Sequence, residues 1–150
     1  MELEAIMAAL AADLGVKDVR PDAGGAFTVS VDEMVVAFSE NRASGELVTV
    51  AEVGEPPPGT LASLSRLLLE ATFLGAETHG ASFATSPGGE MVCLQRLDSL
   101  AAMDYPGFKR MLEDFVATLE KWRGIVADYR EPGSLPYGER TADNFQTYRV

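Results

Sequence analysis

The sequence is poor in histidine and cysteine, two side chains on which catalysis and metal binding often depend. The chain of 150 residues contains one histidine, His79, and one cysteine, Cys93. A lone histidine with one distant cysteine is not a metal ligand set, and nothing in their spacing supports a nucleophile and its base. We therefore interpret His79 as a capping or surface residue. Cys93, within MVCLQRL, is interpreted as a small apolar residue that packs in a strand.

The other motifs that could indicate chemistry are also incomplete. The glycine pairs Gly24-Gly25 and Gly88-Gly89 are typical of turns, because no Gly-Lys-Ser/Thr sequence follows a strand, as a phosphate-binding loop would require. The aspartates of the N-terminal part lack the spacing of a calcium loop; they are Asp13, Asp18, Asp22 and Asp32. The sequence therefore predicts a protein that is not an enzyme and that has no cofactor or metal.

The charge of the chain excludes several kinds of partner. Twelve basic residues against 23 acidic ones give a net charge of −11, which argues against a surface for nucleic acids or anionic membranes. The N-terminal MELEAIMAALAADLG has no basic region, so we expect no signal peptide. No apolar run reaches the roughly 18 residues of a membrane span. A single cysteine fits the reducing cytoplasm, which is the predicted location.

The chain is organised around the segment from Thr60 to Asp128. This segment is predicted to form a helix, a β-hairpin and a second helix. The last helix has one apolar stripe; it consists of Phe108, Met111, Leu112, Phe115, Leu119, Trp122 and Val126. The earlier helix, which Thr60 is expected to cap, has two apolar faces. Its larger face contains Leu61, Leu64, Leu67, Leu68, Ala71 and Leu74. Leu69 and Phe73 form the second face, and because a small domain has one core, this face predicts another subunit.

Three strands are predicted before that helix, after an N-terminal helix that ends at Gly15. They begin near Phe27, Met34 and Leu47 and alternate at a period of two. The predicted core face of the sheet contains Met34, Val36, Phe38, Leu47 and Ala51. The opposite face contains Val35, Ala37, Val48 and Val50, and an apolar patch of this kind is often an interaction site.

The predicted order is α-β-β-β-α-β-β-α, an α+β fold with an antiparallel sheet packed with helices. This domain covers residues 1–130. Residues 131–150 have no hydrophobic period and many turn residues, and they predict a flexible or docked C-terminal tail, with Phe145 and Tyr148 as the docking side chains.

This succession resembles the class I type III secretion chaperones, the Tir-chaperone-like family. The stretches that carry the resemblance are VTVAEVGEPPP, LSRLLLEATFLGAETHGASFATSPGGEMVCLQRL and LEDFVATLEKWRGIV. The chain departs from the family at Thr72, where the family often has asparagine.

The resemblance implies a homodimer in the bacterial cytoplasm that binds the N-terminal segment of a type III secreted effector. The bound effector would stay soluble and competent for secretion. An alternative from another class is a non-catalytic interaction or regulatory domain of the same fold that binds a folded partner protein.

Two sets of site residues follow from these patterns. The expected effector-binding residues combine the open sheet face with the N-terminal helix; they are Leu3, Ile6, Met7, Val35, Ala37, Val48 and Val50. The expected dimer interface combines the second helix with the hairpin that follows it; its residues are Leu61, Leu69, Phe73, Phe83, Val92 and Leu94.

Overall fold

A computed structural model describes residues 1–17 and 19–130. The helices are α1 (Leu3–Leu14), α2 (Leu61–Thr72) and α3 (Tyr105–Ala127). The strands are β1 (Phe27–Val31), β2 (Met34–Asn41), β3 (Glu46–Gly54), β4 (Ser82–Thr85) and β5 (Val92–Ser99). Short 3-10 turns span Phe73–Gly75 and Leu100–Ala102. The predicted α+β order is therefore confirmed, whereas the predicted tail, with Phe145 and Tyr148, lies outside the described residues.

The strands form one five-stranded sheet in the order β1-β2-β3-β5-β4. Every neighbouring pair is antiparallel. The β1–β2 turn places Asp32 and Glu33 at φ 47° and 67°, which is the backbone of a tight two-residue hairpin. Strands β1 and β4 are the edges, so β2, β3 and β5 have a hydrogen-bonded neighbour on each side.

All three helices pack against one hydrophobic core on one side of the sheet. The predicted core face is confirmed, since its five residues are at most 4% exposed. The predicted stripe of α3 is also confirmed, and every one of its residues is buried. The start of α3 is set by Asp104, whose carboxylate accepts a hydrogen bond from the Gly107 backbone N–H at 2.7 Å.

Polar contacts join the end of α1 to the start of α3. The Lys109 ammonium lies 2.8 Å from the Asp13 carboxylate, and the Tyr105 hydroxyl donates to the same carboxylate at 3.0 Å. The hydrogen bonds from Lys109 and then Tyr105 lower the pKa of Asp13 below its ordinary value. This cluster is exposed to solvent, so its role is to orient α1 over α3 more than to stabilise the fold.

Helix α2 differs from the sequence prediction at both of its ends. Thr60 occupies the N-cap position, but its side chain makes no cap; the hydroxyl donates instead to the Pro57 carbonyl at 2.6 Å. The helix ends at Thr72 and the chain then kinks, with Leu74 at φ 56°. Leu74 is 64% exposed, so its predicted place on the core face of the helix is wrong.

The turn after α2 requires a glycine at position 75. Gly75 has φ 68°, and a Cβ atom there would lie 2.9 Å from the Gly80 Cα. The two backbones approach this closely because the Gly80 N–H donates to the Gly75 carbonyl at 3.1 Å. The turn therefore depends both on a left-handed residue and on the missing side chain.

Gly75→Ala is expected to lower the free energy of unfolding by about 2–4 kcal/mol, which combines a left-handed alanine with backbone overpacking. Gly88→Ala is the matched control, because Gly88 has φ 69° but open space around its Cβ position. That variant should lose only about 1 kcal/mol. Urea unfolding of both variants at one protein concentration makes the comparison, and equal losses would show that the contact with Gly80 is unimportant.

Candidate functional site

The side of the sheet that faces away from the helices contains an apolar surface. Pairing places Ala37 opposite Val50 and Val48 opposite Leu97. Val35 lies on the same side, because Val36 between it and Ala37 faces the core. We call Val35, Ala37, Val48, Val50 and Leu97 the outer face.

The four residues that the sequence analysis expected to share a sheet face do share it. Val35 is 54% exposed, and the other three are half-buried. Leu97, which is 56% exposed, was missed. The alternating side-chain direction along β5 could have identified Leu97 as an outer-face residue, because Val92 and Leu94 face the core and Leu97 has the opposite parity. That the outer face binds an effector stays a prediction.

Cys93 and Glu52 lie at the margin of the outer face, as paired residues of β5 and β3. Burial raises the pKa of the Cys93 thiol, and the negative charge of Glu52 raises it further. A thiol with a raised pKa has little thiolate, so it is a poor nucleophile. Cys93 is a strand residue, as expected, and it is only partly buried.

The N-terminal helix does not contribute to the outer face. Leu3, Ile6 and Met7 are 5%, 0% and 0% exposed and belong to the core cluster. The expectation that they line an open surface is therefore wrong. The physical reason is that α1 packs on the helical side of the sheet, where its apolar face completes the core beside α3.

A second exposed apolar surface is found at the end of α2. Leu69, Phe73 and Leu74 are 71%, 44% and 64% exposed, and we call these three residues the α2 surface. The Arg66–Glu70 ion pair, with an N···O distance of 3.1 Å, lies beside it on the same helix. Large exposed side chains in one cluster are typical of a contact with another chain.

Two residues of the expected dimer interface lie in the core, and two others are partly buried. Val92 and Leu94 are fully buried, since their parity in β5 directs them to the core. Phe83 packs its ring against Trp122, with a centroid distance of 4.9 Å, and Leu61 is partly buried against the core. The structure therefore removes Val92 and Leu94 from the expected interface. Leu69 and Phe73 are on the α2 surface, and a role of Leu61 and Phe83 in the interface stays a prediction.

The side chain and the backbone of His79 both form hydrogen bonds with other elements of the fold. Its Nδ1 atom lies 2.9 Å from the buried Thr118 hydroxyl, and that hydroxyl donates to the Asp114 carbonyl at 2.8 Å. The backbone carbonyl of His79 accepts a hydrogen bond from Arg96, which also binds Asp98. These contacts tie the turn to α3 and β5 on the helical side of the sheet, whereas Cys93 lies on the opposite side.

Over residues 1–17 and 19–130, no group of three or more His, Cys, Asp or Glu side chains could hold a metal ion. Within the same ranges, no helix combines the length and the apolar character that crossing a membrane requires. The exposed apolar side chains of the outer face and the α2 surface make these two surfaces candidate contact sites for other chains.

Comparison with known proteins gives a consistent result. The model of the Tir chaperone protein (CesT) family matches residues 5–123. The Chlamydia pneumoniae protein CPj0713/CpB0740 is 28% identical over 102 residues, which are 67% of this chain and 77% of that protein. A chain in the ExsC–ExsE complex superposes with a TM-score of 0.72 at 17% identity, covering 87% of this chain and 100% of that one. A chain in the HopA1–SchA chaperone–effector complex superposes with a TM-score of 0.68 at 14% identity, covering 81% of this chain and 92% of that one.

Proposed function

Because this chain belongs to the Tir chaperone (CesT) family, we propose that it is a type III secretion chaperone. It binds the N-terminal segment of a secreted effector in the bacterial cytoplasm. The bound segment is kept soluble and competent for secretion. The domain that does this covers residues 1–130.

The observation that carries this proposal is the outer face. An apolar surface on a chain with a net charge of −11 stays open in the described structure because all three helices pack on the other side of the sheet. Burying it against apolar effector side chains contributes about 25 cal/mol per Å² before the cost of ordering the effector. A flexible effector segment can become ordered on such a preformed surface as it binds, without forming a globular domain.

The α2 surface is proposed to form a homodimer. Leu69, Phe73 and Leu74 project from one end of a helix whose other side is in the core. In a two-fold contact the same surface of each copy meets its equivalent. The charges of Arg66 and Glu70 are opposite, so they are compatible with such a self-complementary contact.

We propose that the protein binds its partner and catalyses no reaction. His79 lies on the helical side of the sheet, and Cys93, at the margin of the outer face, changes only from a thiol to a hydroxyl in Cys93→Ser. The double variant His79→Ala/Cys93→Ser should therefore keep effector affinity within about three-fold. Isothermal titration with an effector segment measures this. A loss above ten-fold in a variant with unchanged circular dichroism would identify one of the two as a site residue.

Co-expression with the protein encoded beside this gene tests the proposal directly. We expect a stable complex that forms without nucleotide. Limited proteolysis should leave this chain together with an N-terminal effector segment that has no globular fold. Protection of a compact folded domain would instead support the alternative, a regulatory module that binds a folded partner. Absence of a complex with any secreted protein of the same system would contradict the chaperone proposal.

A further inference from the structure

The outer face combines its apolar residues with a particular arrangement of charge. Residues 46 and 52 of β3 are glutamates with the same parity as Val48 and Val50, so both lie on the outer side, one at each end of the apolar stretch. Arg96 is the single basic residue within the five strands. It lies on the helical side, where it binds Asp98 at 2.8 Å.

Glu46 and Glu52 each have one neighbouring side chain with which they interact. The Glu46 carboxylate accepts a hydrogen bond from the Ser44 hydroxyl at 2.6 Å. Glu52 lies close enough to Cys93 for its charge to raise the pKa of that thiol, after the larger effect of burial. Neither glutamate forms an ion pair with the parts of the chain described here. Both carboxylates are therefore available to positive charges on a partner.

The position of the face within the sheet limits the backbone conformation of a partner. Its residues belong to β2, β3 and β5, whose backbone N–H and C=O groups lie in the plane of the sheet and pair with neighbouring strands, except beyond Gln95, where β4 no longer pairs with β5. A segment that lies across them finds no backbone hydrogen bonds there, so it must satisfy its own. An α-helix does this internally, and its width of about 10 Å covers two strand spacings of about 4.8 Å.

The separation of the two carboxylates sets a matching spacing on the helix. Positions 46 and 52 are six residues apart along one strand, which is about 20 Å at roughly 3.3 Å per residue. In an α-helix about 14 residues span the same distance at 1.5 Å per residue. Residues 14 apart also lie within about 40° of each other around the helix, because each residue turns about 100°.

From these observations we propose that the outer face binds an amphipathic helical segment of the effector with a basic residue at each end, four turns apart. The apolar stripe of that segment covers Val35, Ala37, Val48, Val50 and Leu97. Its terminal lysines or arginines meet Glu46 and Glu52. This inference rests on the proposed function, because it specifies the segment that the chaperone binds.

Two synthetic helical peptides of identical composition test the spacing. Each has one leucine stripe and two lysines on the same face, either 14 residues apart or seven apart. With the full-length protein, fluorescence anisotropy at low salt should show about two- to five-fold tighter binding of the widely spaced peptide, because it can form two exposed ion pairs where the narrowly spaced peptide can form only one. The difference should shrink at about 0.5 M salt, where charges are screened.

Matched variants separate this contact from general attraction to an acidic protein. Glu46→Gln/Glu52→Gln should abolish the preference for the wide spacing. Glu113→Gln/Glu120→Gln removes two exposed glutamates of α3 and should retain it. Equal affinities of the two peptides for the wild type would overturn the inference, as would a preference that survives in the first double variant. Stronger binding after truncation at Arg130 would also overturn it, because the tail would then be the occupant.

The result can be distinguished from failure of the proposed function. If Val48→Asp abolishes binding of a co-expressed effector but the two peptides bind equally, the chaperone function stands and the charge spacing is wrong. If Val48→Asp changes the affinity for neither the effector nor any peptide, both proposals fail.

Discussion

Val48→Asp and Val35→Asp are each expected to weaken effector binding by at least about 100-fold while the protein remains folded. In the free protein the new carboxylate is near solvent, since Val35 is 54% exposed and Val48 is half-buried on the outer face. In the complex the same carboxylate would be buried against apolar side chains without a partner. That burial costs several kcal/mol, and each 1.4 kcal/mol is ten-fold in affinity.

The adjacent residue Val36 provides a matched control for position. It is fully buried in the core, so Val36→Asp should unfold the protein where Val35→Asp does not. Circular dichroism separates these outcomes, and titration with the effector segment measures affinity. Truncation after Arg130 should leave binding intact. Normal effector binding by both outer-face variants would place the effector elsewhere, and unfolding of both would show that the face is part of the core.

Leu69→Asp and Phe73→Asp are expected to convert the proposed dimer to a monomer. A two-fold interface contains each substitution twice, so two like charges are buried in one contact. The loss of dimer affinity should exceed about 100-fold, because neither charge has an opposite partner there. Both side chains are at least 44% exposed in the single chain, so the monomer itself should stay folded.

Light scattering with circular dichroism at micromolar concentration checks this result. Val16→Asp is the control, because Val16 is 51% exposed and lies near Phe27 of β1, whereas α2 packs against β4 at the opposite edge of the sheet. It should remain a dimer. A dimer that persists in Leu69→Asp and Phe73→Asp would show that the α2 surface is not the interface. A wild type that is monomeric at the same concentration would refute the dimer itself.

The sequence alone was sufficient for the features that depend on local periodicity. The alternation within β2 and β3 separated the core residues Val36 and Phe38 from the outer residues Val35 and Ala37. The 3.6-residue period of α3 identified its buried stripe down to Trp122 and Val126. These predictions succeeded because the side-chain direction in a strand or helix is set by the backbone geometry of that element.

The placement of one element against another was decided only by the tertiary structure. Periodicity showed that Leu3, Ile6 and Met7 share a helix face, but either side of the sheet could have received that face. In the structure α1 covers the helical side and leaves the outer face open. Likewise Val92 and Leu94 could face a partner subunit or the core until the pairing of β5 with β3 placed them inside.

The end of α2 depends on contacts that no local pattern contains. The apolar period continues to Leu74, yet the helix stops at Thr72 because Gly75 packs directly against Gly80 and redirects the chain. That contact exposes Leu74, and it is held in place by β5 and α3 through Arg96 and Thr118. Residues distant in sequence therefore determine which apolar side chains are available to a partner, since only the assembled core specifies what is already covered.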